Sequence, residues 1–156
     1  MPMEPDSIRD EMVTTARKRL ERYDQVVGLA EEQKAILVEG RHSELTENLT
    51  KFDPLLLELK QLGKREEALR RHLERAQADG QVASSSSLDA EYAKTADLTA
   101  EKTSVLRTLT ETNKQLLANA SEFMRFSIGI ICRAAAEQQP GLDIGGNPAI
   151  MLDLRV

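Results

Sequence analysis

Residues 106 to 134 carry an almost unbroken heptad: Leu106, Leu109, Asn113, Leu116, Ala120, Phe123, Ser127, Ile130 and Ala134 follow one another at spacings of three and four. This is the pattern of a helix packed lengthwise along another helix. It predicts that Leu109, Leu116, Phe123 and Ile130 face the interior of a bundle. Asn113 places an amide in that seam. An asparagine there lowers stability but fixes the register of the packed helices, so its assigned role is register-setting.

A second stripe runs beside the seam at the same spacing: Leu117, Ser121, Met124, Ile128, Ile131 and Ala135. One neighbouring helix can cover only one of the two. The other is either core, covered by a third helix of the same bundle, or a groove for an amphipathic helix from another protein. Flexible Met124 suits the second role.

Aromatic residues make up 3% of the chain and Trp is absent, so the side chains that fill a thick interior are missing and a thin, rod-like core is expected. The formal net charge of −5 argues against gripping nucleic acid phosphates or an anionic membrane, which need a surplus of Lys and Arg. Cys132 has no partner for an intramolecular disulfide, as expected in a reducing compartment. Met1 to Ser7 is polar and holds two prolines, unlike a secretory signal. The apolar stretch around Phe126 to Cys132 falls well short of the roughly 20 residues a membrane span requires. No membrane insertion and a cytoplasmic location are expected.

Three helices follow from the remaining periodicity. The first is expected over about 7–39, capped by Ser7, with a seam of Val13, Ala16, Leu20, Tyr23, Val27, Ala30, Lys34 and Leu37. Gly40 closes it and the chain reverses. The second, over about 43–78, reads as Leu45, Leu49, Phe52, Leu56 and Leu59, then changes phase to Leu62, Leu69, Leu73 and Ala76. The change falls near Pro54, which predicts a kink, with a true break as the alternative. Ala78-Asp79-Gly80 and the serines 84–87 form a connection. The third helix, over about 88–138, would be on the order of 75 Å long at 1.5 Å per residue and ends before Pro140-Gly141. The fold expected is an all-α, elongated, antiparallel three-helix bundle or coiled coil. Residues 1–139 form its helical domain and 140–156 a flexible, extended tail.

Catalytic chemistry is not legible. Glu39 and His42 have the offset of a di-iron ligand pair, but Gly40 interrupts the helix and no second Glu-x-x-His exists. No glycine-rich phosphate loop occurs. No catalytic residue, metal ligand or cofactor is assigned. Lys60 to Arg75 is rich in base, yet Glu66 and Glu67 precede Arg70 and Arg71 by four residues, so a self-compensated face is expected there.

Two stretches carry a resemblance. Leu29-Ala-Glu-Glu-Gln-Lys-Ala-Ile-Leu-Val-Glu-Gly40, followed by Leu45 and Leu49, has a leucine and a Glu/Gln pair ahead of a turn and a second leucine repeat. Leu109-Thr-Glu-Thr-Asn113-Lys-Gln-Leu116-Leu117, then Phe123-Met-Arg-Phe126, has an Asn-x-x-Leu-Leu signature in the last long helix. Together, in this order, they resemble the FlgN-type flagellar export chaperones over roughly residues 8 to 156. The resemblance implies a cytoplasmic, non-enzymatic chaperone. It would hold the polymerisation-prone terminal amphipathic segment of hook-associated (hook-filament junction) proteins until delivery to the flagellar type III export apparatus. The candidate partner-binding residues are Leu117, Met124, Ile128 and Ile131 on the last helix and Leu142, Ile144, Ile150, Leu152 and Leu154 in the tail. The alternative is a structural coiled-coil adaptor or homo-oligomer whose second stripe is buried against its own copy.

Overall fold

The computed structural model describes residues 4–80 and 86–138, and the regular elements among them are helices: α1 (Pro5–Glu39), a single 3-10 turn (His42–Glu44), α2 (Leu45–Ala78) and α3 (Ser86–Gln138). They pack on one another as an all-α bundle. By contacts the chain divides into two compact units, Met1–Asn113 and Lys114–Val156.

α1 starts at Pro5, two residues ahead of Ser7. Glu4 occupies the cap position without a side-chain hydrogen bond, so the serine cap expected from the sequence does not form. Proline explains the difference: its ring presets a helical φ and its missing amide is one the first turn leaves unpaired anyway. The other end is as the sequence suggests. Gly40 adopts φ 70°, and the amides of Gly40 and Arg41 both donate to the Ile36 carbonyl, the second at 2.9 Å, which closes the last turn. Gly80 closes α2 with the same positive φ.

α1 has two adjacent heptad seams. Ile8, Met12, Thr15, Arg19, Arg22, Val26, Leu29, Gln33 and Ile36 form one. Arg9, Val13, Ala16, Leu20, Tyr23, Val27, Ala30 and Leu37 form the other, and all of these are buried or partly buried. Lys34, at a seam position, keeps its ammonium in water. Two seams need two neighbours. α2 runs antiparallel to α1, with Arg22 Nε 2.7 Å from Glu58 Oε2 and Lys51 paired with Glu32. The α3 residues up to Asn113 run parallel to α1, with Arg9 Nε 3.3 Å from Asp89 and Lys102 Nζ 2.8 Å from Asp24.

The expected phase change in α2 does not occur. The side chains turned inward are Leu45, Asn48, Phe52, Leu55, Leu59, Leu62, Glu66, Leu69, Leu73 and Ala76, while Leu49 and Leu56 are exposed. That set is one uninterrupted alternation of three and four, and α2 continues through Pro54 without a break. Taking Leu49 in place of Asn48 and Leu56 in place of Leu55 creates the false shift. Pro54 and Thr50, whose carbonyl loses its helical partner, are both exposed, so water can solvate the defect.

The core is thin, as the composition suggests. Buried apolar side chains come from α1 and from Leu59, Leu69 and Leu73 of α2. Among the described residues α3 adds only Thr95 and Asn113 to the buried set. The Thr95, Thr99 and Thr103 hydroxyls each donate to the carbonyl four residues back, at 2.8 to 2.9 Å, which lets hydroxyls face an interior without an unpaired donor. At one end Ile8, Met12, Leu69 and Leu73 cluster, with Tyr92 packed against them.

Candidate functional site

The surface that most needs explanation is the stretch of α3 from Lys114 onward. Phe123 is 71% exposed, Phe126 66%, Ile131 66%, Ile130 49%, Leu117 47% and Met124 42%. Ile128 and Cys132 are partly buried. Leucine, isoleucine, methionine and phenylalanine at these fractions on one short helical segment are exposed apolar surface of the kind that marks an interaction site. At 3.6 residues per turn the stripes centred on Leu116 and Leu117 lie about 100° apart and together cover roughly half the helix.

The four candidates Leu117, Met124, Ile128 and Ile131 therefore lie together on a surface open to solvent, or partly so. Leu142, Ile144, Ile150, Leu152 and Leu154 lie outside the described residues. Of the four residues expected to face inward, Leu109 and Leu116 are partly buried, whereas Phe123 and Ile130 are exposed, so the register fails for the last two. Periodicity reveals which face seeks cover, not whether the same chain supplies it. Phe126, on neither stripe, was missed; its position three residues after Phe123 was the available signal.

Asn113 is 4% exposed. Its Nδ2 donates to the Ala30 carbonyl at 2.9 Å and to Gln33 Oε1 at 2.9 Å, tying α3 to one turn of α1 as a register residue should. Asn48 does the same from α2, donating to the Leu29 carbonyl and Glu32 Oε2, each at 3.1 Å. Asn48, not Leu49, holds this seam position.

A polar cleft of about 350 Å³ lies in the first unit, lined by Arg19, Gly63, Glu66, Glu67, Arg70 and Tyr92. Its groups largely satisfy one another. Glu66 accepts from Arg19 Nη1 at 3.0 Å and from the Tyr92 hydroxyl, and Arg19 also lies 5.7 Å from the Tyr23 ring centroid. Burial, then the bond to Glu66, pushes the Tyr92 phenol from its ordinary 10.0 up to about 12. Glu67 takes Arg70 at 2.6 Å and Arg71 at 3.0 Å, and Arg65 reaches Glu11. Much of the Lys60–Arg75 base is thus compensated, although Glu66 points across the bundle and not along the helix to Arg70. Among the described residues no three His, Cys, Asp or Glu side chains group so as to hold a metal ion. No helix there is long and apolar enough to cross a membrane.

No family model, no curated protein and no solved structure matches this chain.

Proposed function

We propose that this chain is a non-enzymatic cytoplasmic export chaperone of the FlgN type. It holds the terminal amphipathic segment of a hook-filament junction protein on the part of α3 from Lys114 onward and hands it to the type III export apparatus. The observation that carries the reading is the exposure of Leu117, Met124 and Ile131 on one face of that segment. An amphipathic cargo helix buries its apolar face there, and the ordering cost of the free segment keeps the complex reversible. Release needs no covalent chemistry.

Calorimetric titration with the cargo's terminal peptide tests this. Met124→Asp with Ile131→Asp puts two charges in the contact and should abolish binding while helical circular dichroism stays unchanged. A chain truncated after Gln139 measures the tail's share. If the double variant and the truncated chain both bind as tightly as the parent, cargo docks elsewhere. The second reading, a coiled-coil adaptor or homo-oligomer, rests on Phe123 and Ile130. They occupy the heptad seam and yet are exposed, as residues of a self-association interface are in a single copy. Sedimentation over a range of concentrations distinguishes the two.

A further inference from the structure

From Leu116 to Ala134 the seam of α3 alternates by size. Leu116, Phe123 and Ile130 are large, and Ala120, Ser127 and Ala134 in the positions between and after them are small. Phe123, Ile130 and Ala134 are exposed, so the seam is open there. Two copies of such a seam fit one another in one direction only. A parallel copy sets Phe123 on Phe123 and Ser127 on Ser127, which crowds one layer and hollows the next. Reversal exchanges the large positions with the small ones. About a two-fold axis level with Arg125, Leu116 of one copy meets Ala134 of the other, Ala120 meets Ile130 and Phe123 meets Ser127, so every layer joins a large side chain to a small one. Sliding the pair by a heptad brings Asn113, already engaged by α1, opposite Ile130, or in the other direction Glu137 opposite Ala120.

We infer that the open seam is closed by a second copy of this chain, antiparallel to the first, with the two-fold axis level with Arg125. The inference rests on the self-association reading above and deepens it by naming orientation and register. The same register accounts for the exposed side chains beside the seam. On one flank Leu117 comes next to Ile131 of the other copy and Met124 next to its own counterpart; on the other flank Phe126 meets Phe126. Lys114, Glu122 and Arg125 hold outer heptad positions, and Arg133 comes beside Asn119, so no like charges are juxtaposed. The area is also sufficient. At about 200 Å² for a large side chain, the exposed fractions of Leu117, Phe123, Met124, Phe126, Ile130 and Ile131 amount to roughly 650 Å² per copy and about 1,300 Å² for the pair, within the range of a specific, stable interface.

The test uses the full chain, with circular dichroism verifying that each variant is folded. Sedimentation equilibrium should show a reversible dimer. Phe123→Glu sets a carboxylate in both central layers and should weaken it by more than about tenfold. Ala120→Ile opposes large to large and should weaken it as well, whereas adding Ile130→Ala should restore it, because the layer again joins large to small. Direction is read in a Cys132→Ser background with a short bis-maleimide. Met124→Cys should link two copies. Ala120→Cys should not, since its two positions lie about 15 Å apart along the axis at 1.5 Å per residue; in a parallel pair Ala120 faces Ala120 and the outcome reverses. A dimer linked through position 120, or through neither position, keeps the self-association reading and overturns this pairing. So does a dimer indifferent to Phe123→Glu, or one that the size swap fails to restore. A chain that is monomeric at every concentration overturns both.

Discussion

Asn48 and Asn113 take hold of α1 one residue apart, from two different helices. Asn48 donates to the Leu29 carbonyl and to Glu32, Asn113 to the Ala30 carbonyl and to Gln33. Each amide bonds a carbonyl and the side chain three residues on. Successive residues of a helix point about 100° apart, so α2 and α3 can grip one turn of α1 from separate sides. Both asparagines are buried, and both Oδ1 atoms lack a hydrogen-bond partner. Such residues cost stability and return a fixed register.

Replacing either amide should therefore be felt at the other. Asn48→Ala and Asn113→Ala should each cost about 1 to 3 kcal/mol, because Glu32 and Gln33 lose a donor in a partly buried setting. Their effects should also couple by about 0.5 kcal/mol or more, since both act through the same turn of α1. A double-mutant cycle from urea unfolding measures this. Strict additivity would show that the two grips are independent.

Pro54 sits inside an uninterrupted, exposed stretch of α2, so Pro54→Ala should stabilise the protein, by up to about 3 kcal/mol, without moving any seam residue. A lower unfolding midpoint for this variant would mean that the proline sets a bend the packing needs.

The same region shows why part of the fold was legible and part was not. Heptads state which face of a helix is apolar, and Gly40 and Gly80 mark where helices end, so three helices and their turns follow from the chain. A heptad read only through its leucines goes astray where a polar residue holds a seam position. Asn48 and Glu66 do so in α2, and the choice of Leu49 produced a phase change that does not exist. At the candidate site, the stripe from Leu117 to Ile131 was visible as periodicity. Its exposure was not, because the pattern is the same whether the cover belongs to this chain or to another.

Tyr92 gives a pH prediction. Its phenol is raised from 10.0 to about 12 by burial and by the bond to Glu66. The protonated form is thus favoured more in the folded state than in the unfolded one. Its contribution to stability is fully present below pH 10 and is lost as pH rises through about 12. In a Tyr23→Phe background, phenolate absorbance should report a single titration near 12. Adding Glu66→Gln should lower the midpoint while leaving it above the ordinary value, since burial remains. A midpoint already near 10 in the parent background would place Tyr92 in water.

Leu69 and Phe123 separate stability from binding. Leu69 is buried with Ile8, Met12 and Leu73, so Leu69→Ala removes packed atoms and leaves a cavity, at a cost of about 2 to 5 kcal/mol. Phe123 is 71% exposed, and Phe123→Ala should shift stability by no more than about 0.5 kcal/mol. Affinity should divide the other way. If the helix from Lys114 onward is the partner surface, losing an aromatic anchor there weakens binding by about 1 kcal/mol or more. Leu69→Ala, measured where it is still folded, should bind like the parent. Denaturant unfolding and peptide titration on the two variants give four numbers. A Phe123→Ala variant that unfolds several kcal/mol more easily would mean that the seam beyond Leu116 is covered within the molecule, and the docking surface would have to be sought elsewhere.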